Sequence, residues 1–181
     1  RFTSVVIVCQ FAAAVALIST AMVMYRQLQF VAEHDLGFAA EEVVMVPLQA
    51  RGHDQAELYD QLSAQLRPSP AIVDFSWSSS AFGGSWSRTV LTENEVNHVV
   101  YTNLISPSFL RTMGMELLEG RNLSDEFETD AEQAILVNEA FVRALDWENP
   151  LGSSLARWPE TRVVGVVRDF HNLSLHQTVQ P

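Results

Sequence analysis

The sequence contains no lysine, and its eleven basic residues are all arginines. Against 22 acidic residues they leave a formal net charge of −11. A nucleic-acid interface needs a basic footprint, and an anionic membrane surface attracts clustered lysine and arginine. The composition therefore argues against both, and we expect no nucleic acid among the partners. The acidic balance favours solubility and disfavours anionic partners.

Cysteine is almost absent too, since Cys9 is the only one and lies in an apolar segment. The chain therefore has no disulfide framework and no thiol site in its polar part. Among the five histidines, His171 and His176 are five residues apart, which is off the i, i+4 spacing that places two metal ligands on one helix face. No HExxH motif is present. We predict no metal site and no cofactor.

Catalytic motifs are missing as well. Gly83-Gly84-Ser85 fits neither the G-x-S-x-G nucleophile elbow nor the phosphate-binding loop. Asp169 and His171 have no identifiable nucleophile beside them, and we interpret them as turn residues at a strand end. The acidic run at residues 125–130 lacks the ligand pattern of an EF-hand, so we interpret it as a solvated surface loop. The sequence predicts that the chain is not an enzyme.

What the chain does have is an uncharged run of twenty residues, residues 5–24. At ~1.5 Å per residue a helix of this length spans about 30 Å, the thickness of a bilayer's hydrocarbon core. Tyr25 follows where an interfacial aromatic belongs, and apolar residues keep a helical spacing as far as His34. We therefore predict a transmembrane and stalk helix over residues 1–34.

A cleaved signal peptide is the alternative for this run. Signal peptides have an apolar core of ~7–15 residues, which is shorter than the run observed here, so a retained anchor is favoured. Because the first residue is Arg1 and not methionine, we interpret the sequence as an excerpt or a processed product.

The remaining 150 or so residues suffice for one domain or two small ones. Asp54 is a candidate N-cap with Pro68 as the stop signal, and Asn138 is a second candidate N-cap. A valine-rich strand near the end has the composition of one buried on both faces. The predicted strands are residues 42–48, 71–77, 88–92, 96–104, 134–137 and 162–168, and the predicted helices are residues 54–66, 106–114 (Ser106 as N-cap, Gly114 at the end) and 139–145.

A serine- and glycine-rich stretch carries the candidate contact residues. Trp77, Phe82 and Trp86 lie beside Gly83 and Gly84, and aromatic side chains supply much of the energy at protein interfaces. We predict that these five residues form a contact loop for a partner or cargo. The alternative is that Trp77 and Phe82 are core residues.

Several segments together resemble the FtsX-like ABC transporter permeases, and more closely their MacB-type periplasmic core domain. The segments follow the family's order over nearly the whole chain, and the start resembles the second half of duplicated permeases. The two most specific segments are GMELLEGR and VVGVVRDFHNLSLH. The others are the apolar helix leading into YRQLQFVAEHDLGF, then EEVVMVPL, FLRTMGMELLEGRNLS, AILVNEAFVRAL and NPLGSSL.

The resemblance implies an α+β fold, in which the N-terminal helix leads into a mixed α/β domain at residues 35–181 strung between two transmembrane helices. A membrane-proximal, porter-like subdomain would comprise residues 38–100 and 159–181. A second, sabre-like subdomain would be inserted at residues 101–158. The valine strand would then pair beside the early strands, and a second membrane helix would begin just after Pro181.

The resemblance also implies a function. The chain would be the extracytoplasmic part of a permease subunit in a bacterial inner membrane, with residues after about 34 in the periplasm. It would couple ATP hydrolysis in a separate subunit or domain to export or extraction of cargo, a mechanotransmission role. Expected partners are the membrane, an ABC ATPase, a second permease half or protomer, and a periplasmic partner or cargo. An extracytoplasmic sensor domain of a membrane receptor is the alternative, and it predicts a concave ligand pocket.

Overall fold

The computed structural model describes residues 2–33, 36–39, 43–48, 55–82, 84, 86–93, 95–172 and 178–181. The chain forms two compact units, Arg1–Asp35 and Leu36–Pro181. In chain order the elements are α1 (Phe2–Glu33), α2 (Gln55–Leu66), β1 (Ser87–Glu93), β2 (Val96–Thr102), α3 (Phe109–Thr112), β3 (Leu117–Gly120), α4 (Asp130–Gln133), β4 (Ala134–Asn138), α5 (Glu139–Ala144) and β5 (Arg162–Val167).

The first unit is the single helix α1, whose 32 residues follow the predicted transmembrane and stalk helix. Its segment Phe2–Gln29 is long and apolar enough to span a membrane. The Thr20 hydroxyl bonds within the helix, since its Oγ1 donates to the carbonyl oxygen of Ala16 at 2.8 Å. A hydroxyl satisfied within its own helix lowers the cost of placing it in lipid.

The described residues of the second unit form two sheets. Strands β1 and β2 form an antiparallel hairpin, and the other sheet has the order β3-β5-β4, with β3 antiparallel and β4 parallel to β5. The predicted strands at 88–92, 96–104, 134–137 and 162–168 are confirmed to within two residues at each end.

The pairing of the valine strand differs from our expectation. We expected β5 to lie beside the early strands, but it pairs with β3 and β4, which come from the predicted inserted segment. A β-strand, a helix and a nearby parallel strand form a compact crossover, and β4, α5 and β5 follow that order. The subdomain boundaries at 38–100, 101–158 and 159–181 stay a prediction.

Strand β5 is buried on both sides of its sheet, as its composition predicts. Ile135 pairs with Val163 and Leu136 with Gly165, so that Val164 is an extra residue in β5. With this bulge, Val163 and Val166 point to one face while Gly165 and Val167 point to the other, because alternation resumes after the extra residue. The two faces belong to two separate hydrophobic clusters.

Each face of the sheet has its own cover. The hairpin and α5 contribute to the first cluster, whose buried members are Leu91, Val100, Val137, Phe141, Leu145, Leu155, Val163 and Val166. The second cluster includes α3, and its buried members are Phe109, Leu110, Met113 and Val167. Phe38 near the start of the unit, Phe82 and Phe170 after β5 are among its half-buried members.

Two predicted strands do not form. Residues 43–48, the described part of the first, and residues 72–77 lie outside any strand. In the second segment two backbone groups bond to serine hydroxyls and not to a neighbouring strand. Ser106 Oγ accepts from the amide of Trp77 at 3.1 Å, and Ser108 Oγ donates to the carbonyl oxygen of Phe75 at 2.6 Å. Such side-chain bonds compete with a strand ladder.

Helix α3 is shorter than predicted at its start. It begins at Phe109, and Ser106 does not cap it because its hydroxyl is engaged by the segment around Trp77. Its end follows the prediction. Gly114 has φ +62°, its amide bonds to Arg111, and the next amide, of Met115, bonds to the carbonyl oxygen of Leu110. This is a Schellman ending, which favours glycine.

The N-terminus of α5 is capped as predicted, since Asn138 Oδ1 accepts from the amide of Phe141 at 3.0 Å. Helix α2 ends at Leu66, shortly before Pro68, also as predicted. The candidate cap Asp54 lies outside the described residues.

The acidic loop is not simply solvated, which corrects our interpretation of residues 125–130. Asp130 is 6% exposed and makes two bonds to Arg121, at 2.5 and 2.8 Å. It also accepts from the amide of Ser124, and the guanidinium lies 4.2 Å from the Phe127 ring centroid. The bonds to Arg121 hold the pKa of Asp130 below its usual value, with burial opposing them and the Ser124 amide assisting.

We expect Asp130→Asn to lower the free energy of unfolding by about 1–3 kcal/mol, because it removes the buried charge of the Arg121–Asp130 ion pair. The Arg121 side chain is 40% exposed, which places the effect below that of a fully buried pair. The measurement is denaturant unfolding of the purified chain in detergent, followed by tryptophan fluorescence. Asp125→Asn, an exposed carboxylate of the same loop, is the matched control and should change stability little.

The same pair of variants has a defined pH dependence. The lowered pKa of Asp130 gives stability that is fully present above the unfolded-state pKa of about 4 and is lost as pH falls through the lower folded-state pKa. The difference between wild type and Asp130→Asn should therefore be constant above about pH 5 and shrink below about pH 4. A difference that grows on acidification would contradict the role given to this carboxylate.

Candidate partner-contact surface

The predicted contact residues divide into two environments. Phe82 and Trp86 are half-buried, whereas Trp77 is 44% exposed and Gly84 is exposed. Gly83 lies outside the described residues. The loop follows the isolated bridge between Ser78 and Ile105.

Phe82 lies at the centre of an aromatic cluster. Its ring centroid is 4.1 Å from that of Phe38, 5.5 Å from Trp86, 5.7 Å from Phe170 and 6.1 Å from Phe109. Stacked and edge-to-face pairs at these distances stabilise a core beyond the apolar area they bury. The ring of Phe82 therefore connects the start of the second unit and the segment after β5 to α3.

Trp86 belongs to the same cluster. Its ring is 5.7 Å from that of Phe170, and its Nε1 donates to the carbonyl oxygen of Ala81 at 3.2 Å. This bond closes the serine- and glycine-rich loop on itself and satisfies the one polar group of the indole. The loop is thus held by both of its aromatic residues.

Trp77 presents a different, outward surface. Its amide and carbonyl groups bond to Ser106. On the other side of the bridge, the Ser79 amide donates to the carbonyl oxygen of Leu104, and the Leu104 amide donates to Ser79 Oγ. Trp77 and Leu104 each directly precede one of the two bridge residues, Ser78 and Ile105. Both are exposed large apolar residues.

An ion pair borders this stretch of chain. Asp74 accepts from Arg111 Nε at 2.7 Å and Nη2 at 3.1 Å, and from the Thr112 hydroxyl at 3.2 Å. The Arg111 hydrogen bond holds the pKa of Asp74 below its usual value, although partial burial opposes it. The arrangement fixes residues 74–77 against α3, so that the Trp77 backbone has a defined position.

The sequence did not reveal the role of Asp169, which we had interpreted as a turn residue. Its Oδ1 accepts from the amide of Ala140 at 2.7 Å, and its Oδ2 accepts from Arg143. Its own amide donates to Glu139 Oε2 at 3.1 Å. Asp169 therefore caps α5 from a distant part of the chain, in addition to the cap that Asn138 provides. The available signal was a carboxylate directly after a valine strand, but the sequence does not show that its partners lie more than 25 residues earlier in the chain.

Among the residues that the structure describes, no three His, Cys, Asp or Glu side chains converge so that they could hold a metal ion. His34, His53 and His176 are not among those residues.

We expect Phe82→Ala to lower the free energy of unfolding by about 2–4 kcal/mol, since it removes a ring packed against four others. Trp77→Ala should cost under about 1 kcal/mol, because that residue is exposed and its ring belongs to no aromatic cluster among the described residues. Thermal unfolding of the purified variants provides the comparison. Equal losses for the two would contradict the division between a core ring and a surface ring.

Comparison with known proteins gives one family. The model of the MacB-like periplasmic core domain matches residues 5–178. No curated protein matches the chain significantly.

Two solved structures are similar to the chain. The periplasmic region of MacB from Actinobacillus actinomycetemcomitans is 19% identical, with a TM-score of 0.45 over 73% of this chain and 64% of that one. A domain of a putative permease protein from Porphyromonas gingivalis is 21% identical, with a TM-score of 0.40 over 65% of this chain and 47% of that one. The chain spans less than two thirds of the length of either. Since the family model extends over nearly all of its residues, the chain belongs to the MacB-like periplasmic core domain family.

Proposed function

We propose that this chain is the extracytoplasmic domain of an ABC transporter permease subunit, together with the membrane helix that leads into it. In this role it converts ATP hydrolysis on the cytoplasmic side into a change of conformation on the other side, and that change exports or extracts cargo. Membership of the family and a membrane-length apolar helix directly before the folded unit support the proposal.

The observation that carries it is the continuity of α1. The helix runs without a break from Phe2 to Glu33, past the end of the membrane-length segment at Gln29. Only residues 34 and 35 separate it from the second unit. A helix keeps its length because each amide bonds within the same element, whereas a flexible linker would absorb a displacement by rotating its dihedral angles. A stiff helix is suited to transmit motion.

In this transporter, hydrolysis and the extracytoplasmic change of conformation belong to different parts. ATP hydrolysis takes place in a separate nucleotide-binding subunit or domain, and this segment binds no cofactor and catalyses no reaction. The permease resides in a bacterial inner membrane, with residues after about 34 in the periplasm. A second permease half or protomer completes the transporter, and the exposed Trp77 and Leu104 are candidate contact residues for a periplasmic partner or cargo.

A glycine insertion tests the lever. Four glycines inserted between Gln27 and Leu28 of the full-length permease should uncouple ATP hydrolysis from export, because they interrupt the stiff helix near the membrane surface. Hydrolysis and export are measured together in vesicles containing the permease and its co-purified ATPase. We expect hydrolysis to continue while export falls at least about tenfold, the effect of roughly 1.4 kcal/mol on a coupling step.

The matched control is an insertion of four alanines at the same place. This adds close to one helical turn, which keeps the helix stiff and nearly preserves the rotation of the following residues. The alanine variant should retain most of its export. Unchanged export in the glycine variant would refute the lever.

A further inference from the structure

The first residues of the second unit contact the segment that follows β5. Residues 36–39 lead from α1 into the unit, and residues 169–171 follow β5. The amide of His171 donates to the carbonyl oxygen of Leu36 at 2.9 Å, and the amide of Ala39 donates to that of Met113 at 2.8 Å. We call residues 36–39 and 169–171 together the clasp.

Gly37 makes the close approach of these segments feasible. Its φ is +78°, and a Cβ at this position would lie 2.6 Å from the carbonyl oxygen of Asp169 and 2.9 Å from the Cα of Phe170. Both neighbours are backbone atoms, which cannot rotate away as a side chain could. Any other residue would therefore push the two segments apart.

The next residue on each side completes the contact. Phe38 stacks on Phe82 at 4.1 Å, and Phe170 meets the same ring edge-on at 5.7 Å. Rings that share one partner move together, because interiors are close-packed and their contacts are lost over small gaps.

The clasp reaches the core through three consecutive residues. Asp169 bonds to the amide of Ala140 and to Arg143 on α5, Phe170 enters the aromatic cluster, and His171 bonds to Leu36. Asp169 is also only two residues from the end of β5 at Val167. A displacement of residues 36–39 thus has direct connections to the central strand and to the helix that covers it.

We infer that the clasp is the junction at which displacement of α1 enters the folded unit and passes to β5 and α5. This rests on the proposed function, in which α1 is a lever. Residues 36–39 lie in no strand or helix of their own. Without the contact across Gly37 they would behave as a short linker, which takes up displacement by backbone rotation.

Two glycine variants separate the clasp from general backbone strain. Gly37→Ala adds a methyl group between the two segments. Gly152→Ala is the matched control, since Gly152 has φ +80° and nothing lies within 4 Å of its Cβ position. Both substitutions impose the same left-handed strain, and only the first one opens the clasp.

The readout is hydrogen exchange in the full-length permease, reconstituted in nanodiscs with its co-purified ATPase, with and without ATP and vanadate. In wild type and Gly152→Ala we expect the trapped state to change exchange in β5 and α5. In Gly37→Ala this response should disappear while hydrolysis persists. Protection of the His171 amide should fall at least about tenfold, because its bond to Leu36 is lost.

The outcomes separate the two proposals. A Gly37→Ala protein that responds like wild type overturns the clasp and leaves the lever intact. A wild type without any ATP-dependent change in residues 36–181 overturns the proposed function itself.

If Gly37→Ala does not fold, a second variant tests the clasp. Phe38→Leu keeps the glycine and an apolar side chain but removes the ring stacked on Phe82. We expect it to reduce the response in β5 and α5 at least about twofold, since a stacked pair contributes roughly 0.5–1.5 kcal/mol. A full response in this variant overturns the clasp.

Discussion

The second unit depends on one strand that has no solvent-facing side. β5 pairs with β3 and β4 along its edges and contributes to a separate hydrophobic cluster on each face. The bulge at Val164 makes this feasible, since it shifts the alternation so that Val163 and Val166 share one face. Gly165 then faces the other cluster, where a Cβ would lie 2.9 Å from Leu117 and Leu136 side-chain atoms. The missing side chain leaves room for those two leucines and for the carbonyl oxygen of Arg121, 2.5 Å from the Cβ position.

The sequence predicted the elements whose signals are local. The apolar run, the glycine that ends α3, the Asn138 cap and the valine composition of β5 each act within a few residues, and the structure contains all four. The family resemblance, which used the order of many segments, is confirmed by the match over residues 5–178. Local signals and segment order are the information that a single sequence carries well.

The sequence failed where a distant partner decides the outcome. Residues 72–77 have strand composition, but hydroxyl groups of Ser106 and Ser108 bond to their backbone. Asp130 belongs to an acidic run, yet it is buried and paired with Arg121. The contact loop stays a prediction, and the packing of its Phe82 against Phe38, 44 residues earlier by number, has no local signature. Propensity is weaker than tertiary contact in each case.

The absence of lysine has a consequence for the ion pairs that fasten the unit. The cations at Asp74, Asp130 and Asp169 are all guanidinium groups, and their carboxylate partners raise the pKa of Arg111, Arg121 and Arg143 further above an already high value. An ammonium partner would discharge in strongly alkaline solution, whereas these cations would not. Alkali therefore leaves all three ion pairs charged, and only acid, by protonating the carboxylates, can neutralise them.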